Sequence, residues 1–181
     1  MAEAMLFEQV YAEEFRFVWR SLRRLGVRED DVSDAAQDVF LVVHRKLPEW
    51  QGRSKLTTWV YGICMRVASD RRKAAHVRRE VVGSDVADRA DGRANAGELL
   101  DRRGQFALLE MALDELPIDQ RAVFTLFELE EMDGAQISEM LDIPIGTVWS
   151  RLRLAREAFR AAIQRRTARM RFESAVARGG P

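Results

Sequence analysis

The segment DGAQISEMLDIPIGTVWSRLRLAREAFR, residues 133–160, has the pattern of a short helix, a tight turn and a longer helix. Asp133 followed by Gln136 matches a capping box, which predicts that the first helix begins here. Apolar residues recur at the spacing expected when two such helices share a small core: Ile137, Leu141, Ile143, Val148 and Leu152. The segment therefore predicts a compact helix pair.

The turn and the second helix of this segment point to nucleic acid. Pro144 and Gly146 are expected to build the turn, and Thr147 is expected to cap the second helix. The second helix is rich in arginine, which suits a helix that lies in the major groove of DNA. We interpret the segment as a DNA-binding helix-turn-helix. The alternative is a helical hairpin that does not contact DNA, which would not need the arginines.

The composition predicts an all-α protein without a cofactor or metal site. The chain has 181 residues, 47% hydrophobic and 32% charged, with only 11 Gly and 4 Pro. The single cysteine, Cys64, excludes an internal disulfide and a cysteine-based zinc site, and its apolar neighbours predict that it is buried. The N-terminus lacks a signal-peptide pattern, and no run approaches the ~18 apolar residues of a membrane span. We expect a cytoplasmic chain without membrane insertion.

Charge is strongly segregated along a chain whose net charge is zero. Residues 53–79 hold eight basic residues and one acidic residue, net +7, and residues 147–181 hold nine and two, also net +7. Residues 105–146 hold one basic and ten acidic residues, net −9. Two separate basic blocks suggest two contacts with a polyanion, although two solvated helix faces would give the same pattern.

A change of composition divides the chain into two units. Residues 81–97 are rich in Gly, Ala, Asp and Arg and contain no aromatic residue, which is typical of a flexible linker. We predict two small helical domains, 1–80 and 105–165, joined by a linker over 81–104. The C-terminal domain contains the helix-turn-helix, and the basic tail, 166–181, is expected to be disordered.

Three stretches, taken in order, resemble the extracytoplasmic-function (ECF) branch of the sigma-70 family. They are SDAAQDVFLVVHRKLPEWQGRSKLTTWVYGI at 33–63, LDELPIDQRAVFTLFELEEM at 113–132 and IPIGTVWSRLRLARE at 143–157. The resemblance implies a non-enzymatic transcription factor that binds core RNA polymerase and promoter DNA. It also implies a σ2 domain for the −10 element, a σ4 domain for the −35 element and no σ3 domain, and it suggests an anti-sigma partner.

The second helix of σ2 is the part of the family that docks on polymerase. The resemblance places this role on Asp34, Gln37, Asp38, Phe40 and Leu41. An acidic, amide-bearing face beside an apolar anchor suits a basic partner helix. The alternative is that Phe40 and Leu41 pack in the core and that the acidic residues only stabilise the helix dipole.

The resemblance also places the two DNA contacts. In σ2, a loop that captures a flipped base, followed by a basic helix that holds the strand, would use Trp50, Gln51, Arg53, Ser54, Lys55, Thr57, Arg66, Arg71, Arg72 and Lys73. Trp50 could instead fix the loop to the core. In σ4, the −35 contact would use Thr147, Trp149, Ser150, Arg151, Arg153 and Arg156. Simple solvation of these arginines is the alternative.

Three positions depart from the family pattern. Trp149 and Leu154 stand where members often have a basic residue, and Glu131 stands where members often have glycine. Trp149 faces either a base or the preceding helix, and the choice affects how far −35 rules can be transferred.

Three other functions are alternatives. A stand-alone helix-turn-helix regulator leaves the N-terminal motifs unexplained. A helical enzyme would have to use His44 or His76, which lie in different predicted helices without a nucleophile nearby. A purely structural adaptor is the third.

Overall fold

The computed structural model describes the backbone of residues 2–82 and 98–178 and the side chains of residues 6–77, 106–170 and 172. Within these ranges the chain forms helices and turns and no strand, which confirms the all-α prediction. The elements are α1 Ala2–Arg24, α2 Glu29–Lys46, a 3-10 turn Leu47–Glu49, α3 Leu56–Val82, α4 Glu98–Asp114, α5 Ile118–Glu128, α6 Gly134–Leu141 and α7 Ile145–Arg178. None of the described helices is long and apolar enough to cross a membrane.

Helices α1, α2 and α3 pack together as an N-terminal bundle. Their core consists of fully buried aliphatic side chains: Val18, Leu22, Val32, Val39, Val43 and Val60. Gly26 turns the chain between α1 and α2 with φ +91, a conformation that glycine adopts without a steric penalty. Cys64 is fully buried, as predicted, and burial raises the pKa of its thiol to about 12. The thiol is therefore protonated at neutral pH.

The capping box that the sequence predicts opens α6. The Asp133 carboxylate accepts from the Gln136 backbone N–H at 2.8 Å, and the Gln136 side-chain oxygen accepts from the Asp133 N–H at 2.9 Å. The shared core of α6 and α7 is also present, with Ile137, Val148 and Leu152 buried. Local polar pairing and apolar spacing together were sufficient to locate this helix pair.

The turn between α6 and α7 differs in detail from the expected one. It starts at Asp142, which has a left-handed φ of 52, and the Ser138 hydroxyl donates to the Ile143 carbonyl oxygen at 2.6 Å. Because α7 begins directly after Pro144, Gly146 lies in the first turn of that helix and not in the connection. The residue with a left-handed backbone conformation in this turn is therefore Asp142 and not Gly146.

The two helical units share one apolar core. Helix α3 packs against α5 and α6. Arg121 of α5 is wholly buried and donates from Nε to the Arg24 carbonyl oxygen of α1 at 2.8 Å. The Arg24 side chain forms an ion pair with Glu130 at 3.1 Å. These long-range contacts set the relative placement of the two units.

The predicted linker range is helical at both ends. Helix α3 extends through Val82, and α4 begins at Glu98. Residues 83–97, where the linker composition is concentrated, lie outside the described residues.

The basic tail is helical where the structure describes it. Residues 166–178 continue α7, so the prediction of disorder is wrong for them. The stretch contains Ala, Arg, Met and Glu and has no Gly or Pro before Gly179, a composition that favours helix.

Candidate nucleic-acid interface

Helix α7 has one buried and one exposed face over its first four turns. The buried positions are Val148, Leu152 and Ala155. Ser150 and Arg153, both predicted −35 residues, lie on the exposed face. The Arg153 side chain is 64% exposed, and among the described side chains it pairs with Glu157, one turn further along the same helix, at 2.8 Å. A solvent-facing helix with these donors can enter a major groove.

Arg151 and Arg156 flank this face and hold α7 against α5. Arg151 Nη2 lies 3.1 Å from Asp119 Oδ2, and Arg156 Nη2 lies 2.6 Å from Glu128 Oε1. The Arg156 guanidinium also sits 5.1 Å from the ring centroid of Phe127. Partly exposed ion pairs of this kind contribute about 0–1 kcal/mol, so a DNA phosphate can replace the carboxylate at small cost.

Thr147 does not cap α7 as predicted. Its backbone N–H donates to the Pro144 carbonyl oxygen at 2.8 Å, and the Val148 N–H donates to the same oxygen at 3.2 Å. The first helical residue is Ile145, three positions before the Val148 that a Thr147 cap predicts, because the Pro144 carbonyl supplies the first acceptor. The Thr147 amide is therefore occupied and is not a free phosphate donor.

Trp149 packs against the preceding helices and keeps part of its surface in solvent. Its ring meets Phe127 of α5 edge-on, with centroids 5.9 Å apart, and its six-membered ring lies over Gly134 at the start of α6. A Cβ on Gly134 would stand 2.4 Å from Trp149 Cζ2. The side chain is nevertheless 47% exposed. The choice left open by the sequence is thus decided in favour of packing, with one edge of the indole at the surface.

The predicted −10 loop, residues 50–57, leaves the bundle after the 3-10 turn, and its last two residues belong to α3, which begins at Leu56. Trp50 is half-buried, with its ring centroid 6.4 Å from that of Trp59, so it holds the loop to α3. Its indole Nε1 is buried and has no hydrogen-bond partner among the described residues. Gln51, Arg53 and Lys55 are exposed, whereas Ser54 and Thr57 are half-buried.

The basic side chains of α3 divide into two groups. Arg66 and Lys73 are exposed. Arg71 forms an ion pair with Asp38, a residue that the sequence assigned to polymerase docking. Arg72 donates from Nη2 to backbone carbonyls of the α4–α5 corner, and burial lowers the pKa of its guanidinium. The structure therefore brings Asp38 and Arg71 together. It also shows that Arg72 is not one of the exposed cations of α3.

The predicted docking residues of α2 also separate by exposure. Asp34, Gln37 and Leu41 are exposed, while Phe40 is only 4% exposed and packs on Tyr11, with ring centroids 4.6 Å apart. Phe40 is thus a core residue, as the alternative held. Gln37 and Leu41 line an open groove of about 620 Å³ between α1 and α2.

Sequence reasoning missed the other wall of this α1–α2 groove. Phe7, Tyr11, Phe15 and Trp19 follow one another at four-residue intervals on α1, and all four line the groove. Residues four apart lie on one helix face, so this aromatic series was the signal that could have revealed the wall. Tyr11 and Trp19 keep 43% and 37% of their surface exposed.

Two sequence profiles match the two helical units. The profile described as Sigma-70 region 2 matches residues 10–78, and the one described as Sigma-70, region 4 matches residues 106–159. The ECF RNA polymerase sigma-E factor of Escherichia coli is 32% identical over 148 residues, which cover 76% of this chain and 76% of that protein. This chain belongs to the ECF sigma factor family. The sigma-E factor of Haemophilus influenzae is 28% identical over 146 residues, covering 76% and 77% of the two chains.

Two solved structures share the fold of this ECF sigma factor. CnrH in complex with the cytosolic domain of CnrY superposes with a TM-score of 0.58 at 20% identity, over 87% of each chain. The sigma factor RpoE in complex with the anti-sigma factor NepR from Bartonella quintana gives a TM-score of 0.59 at 22% identity, over 87% of this chain and 96% of that one.

The family departure at Glu131 has a structural consequence in region 4. Glu131 has φ 54, in the left-handed region where a Cβ carries a steric penalty. We expect Glu131→Gly to raise the free energy of unfolding by about 0.5–1 kcal/mol, because the left-handed penalty that glycine removes exceeds the cost of its greater freedom in the unfolded chain. Chemical denaturation followed by circular dichroism measures the change. Glu131→Ala keeps the Cβ and serves as the control; an equal gain from alanine would show that strain is not the cause.

Proposed function

We propose that this ECF sigma factor binds core RNA polymerase, directs it to promoters with −35 and −10 elements, and helps to melt the start site. The observation that carries the proposal is the presence of both region 2 and region 4 in one chain, in the family order. One block of net charge +7, residues 53–79, covers the C-terminal part of region 2, and the other, residues 147–181, begins in region 4 and continues beyond it. In this function the chain supplies binding and strand separation, while the polymerase supplies catalysis.

For the −35 element, we assign base readout to the exposed face of α7. Arg153 is the most suitable residue, because an exposed guanidinium can bridge guanine O6 and N7 with two hydrogen bonds. Arg151 and Arg156 lie at the flanks, where exchange of Asp119 or Glu128 for a phosphate oxygen would position the helix. The exposed edge of Trp149 is an apolar surface of the kind that contacts a thymine methyl group.

For the −10 element, we assign strand capture to the 50–57 loop and to α3. Unpairing a base costs a few kcal/mol, so the loop must return that energy through contacts to the base and its phosphates. Gln51 offers a side-chain amide for a base edge, and Arg53 and Lys55 offer cations for phosphate. Arg66 and Lys73 continue the cationic surface along α3.

For polymerase docking, we assign the α1–α2 groove together with the acidic side chains beside it. The groove offers aromatic surface from Tyr11 and Trp19 and aliphatic surface from Leu41. Asp34 and Gln37 are exposed on α2 and can pair with a basic partner helix. Large aromatic side chains beside charged groups are typical of residues that dominate binding energy at protein interfaces.

An anti-sigma factor is proposed as a further partner. The RpoE structure with the same fold was solved with an anti-sigma factor, and CnrH was solved with the cytosolic domain of CnrY. The chain would act in the cytoplasm, where RNA polymerase works.

The proposed function is tested by transcription with purified core polymerase on a pool of genomic fragments. We expect specific start sites that depend on the added chain, and co-elution of the chain with core enzyme. Tight binding to duplex promoter DNA alone, without co-elution or initiation, would identify a stand-alone regulator and reject the proposal.

Arg153→Ala is expected to weaken promoters unequally. Where the −35 element presents the matched base, the loss should be about 1–3 kcal/mol in apparent binding free energy, and elsewhere it should be small. Competition between promoters that differ at single −35 positions measures it. Arg160→Ala, an exposed arginine two turns further along α7, is the matched control. Equal loss on every promoter would assign Arg153 to phosphate contact.

A further inference from the structure

A cationic groove of about 360 Å³ lies where the start of α2, the second half of α3 and the α4–α5 corner, residues 114–118, meet. Its lining includes cations from region 2 and apolar residues from region 4: Arg28, Arg71, Arg72 and Lys73, and Pro117 and Ile118. The volume lies within the range of small-molecule sites, about 300–1,000 Å³. This groove is distinct from the candidate −10 groove, which lies beside the 50–57 loop and is lined in part by Ser54 and by Met140 of α6.

The cationic groove carries more positive charge than its own carboxylates offset. The two carboxylates that line it already have arginine partners: Asp31 with Arg28 at 3.5 Å, and Asp114 with Arg121 at 2.8 Å. Arg72 and Lys73, which follow each other on α3, also line the groove and form no ion pair among the described side chains. A concave surface with two such cations attracts a small anion.

Arg72 lacks an acceptor for one of its donors. Its Nη2 donates to the carbonyl oxygens of Asp114 and Leu116, each at 2.8 Å, whereas its Nη1 is buried and has no hydrogen-bond partner among the described residues. Burial lowers the pKa of this guanidinium, and the positive charge of Arg121 lowers it further. A buried cationic donor without an acceptor is costly. An anion in the cationic groove would supply that acceptor and offset the repulsion between the two guanidinium groups.

We propose that the cationic groove binds a small ligand that carries a diphosphate group. A diphosphate presents several charged acceptor oxygens along its length, so it can pair with Arg28, Arg72 and Lys73 together, which a single carboxylate cannot do. Pro117 and Ile118 form an apolar wall opposite these cations, which suits the nucleoside part of a nucleotide. A nucleic-acid strand would have to displace this wall, so the groove favours a small ligand. Because the bound ligand contacts both regions, it stabilises the folded chain as a whole.

Titration of the full chain with inorganic diphosphate and with ADP, at constant ionic strength, tests the proposal. Isothermal titration calorimetry gives the dissociation constants. At ten times its dissociation constant, either ligand should raise the Tm by about 3–5 °C. Tighter binding of ADP would identify nucleotides as the source of the diphosphate group, and tighter binding of inorganic diphosphate would identify the free ion; both results support the site. No binding, or an equal rise in Tm with sulfate, would overturn the proposal.

Arg28→Gln locates the ligand, because Arg28 lines the cationic groove and lies outside the residues assigned to DNA or polymerase. We expect diphosphate to bind about 10-fold more weakly, since one charge-assisted contact is lost. The affinity for random-sequence single strands of about 12 nucleotides, measured by fluorescence anisotropy, should stay within about twofold of wild type.

Arg23→Gln is the matched control. Arg23 is also partly exposed and pairs with an acidic residue in the first turn of α2, Glu29, at 2.8 Å, but it does not line the cationic groove. Equal loss of diphosphate affinity in the two variants would show an effect of net charge alone and overturn the proposal. A parallel loss of diphosphate and oligonucleotide affinity in Arg28→Gln would assign the groove to the DNA backbone, which also overturns it. Transcription initiation with core polymerase tests the proposed function separately.

Discussion

Gly134→Ala is expected to lower the free energy of unfolding of region 4 by about 1–3 kcal/mol, the usual cost of forcing extra volume into a packed site. The new Cβ would stand 2.4 Å from Trp149 Cζ2 and 2.8 Å from its Cη2. The indole would have to leave its place beside Phe127, which would also move the first turn of α7. Chemical denaturation gives the stability change, and promoter binding reports the displaced recognition helix.

A double-mutant cycle identifies the cause. In a Trp149→Ala background the clash is absent, so Gly134→Ala should become neutral or slightly stabilising, because alanine favours helix more than glycine. Gly146→Ala is the matched control in the first turn of α7, where an added Cβ meets no atom within 4 Å. If Gly134→Ala costs the same with and without the tryptophan, the close approach of Trp149 is not what requires glycine at this position.

Arg121→Ala is expected to lower the free energy of unfolding by about 2–4 kcal/mol, as removal of one partner from a buried polar network commonly does. The Arg121 side chain is 1% exposed and donates in three directions. Nη1 meets Asp114 at 2.8 Å, Nη2 meets Glu110 at 3.4 Å, and Nε meets the Arg24 carbonyl at 2.8 Å. Alanine would leave the Arg24 carbonyl without its donor. It would also leave a cavity beside Gly26, because Arg121 Cζ stands 2.8 Å from the place where a Cβ on Gly26 would lie.

Two further variants test this account of Arg121. Arg24→Ala removes a 40%-exposed side chain while keeping the backbone carbonyl that accepts from Arg121, so it should cost less than about 1 kcal/mol. Arg121→Lys should recover little stability, because an ammonium group lacks the planar fork that reaches all three acceptors. Thermal and chemical denaturation compare the three variants. A cost for Arg24→Ala as large as that for Arg121→Ala would place the energy in the Arg24 side-chain ion pair instead.

Arg121 also joins the two regions. Two of its acceptors lie in α4 and one lies in α1, so the same guanidinium supports region 4 and its contact with region 2.

The elements that sequence reasoning located correctly are those whose signals are local. The capping box joins residues three apart, and the core of the helix pair follows helical spacing. The start of α7 lies three residues before the predicted one, because the Pro144 carbonyl accepts the first helical hydrogen bonds and Thr147 is itself inside the helix. The tail is helical, against the expectation of disorder, because its helix-favouring residues continue α7 without a Gly or Pro before Gly179.

The partners of the site residues were not accessible from the sequence. Asp38 and Arg71 were assigned to different surfaces, yet they form an ion pair across 33 positions of the chain. Lys55 meets Glu139, and Arg72 meets the α4–α5 corner, only because region 2 and region 4 pack together. Charge pattern shows which residues can bind an anion, whereas packing decides which of them are already occupied.

By itself, the amino-acid sequence determined the helical class, the two-region order, the helix-turn-helix and the family resemblance, because these depend on residue type and on short, fixed spacings. Only the tertiary structure decided that Trp149 packs over Gly134, that Phe40 belongs to the core, and that α6 lies on the candidate −10 groove. Each of these depends on how helices far apart in sequence approach one another. That approach is set by the sum of many weak contacts along whole helix faces, and no single motif encodes it.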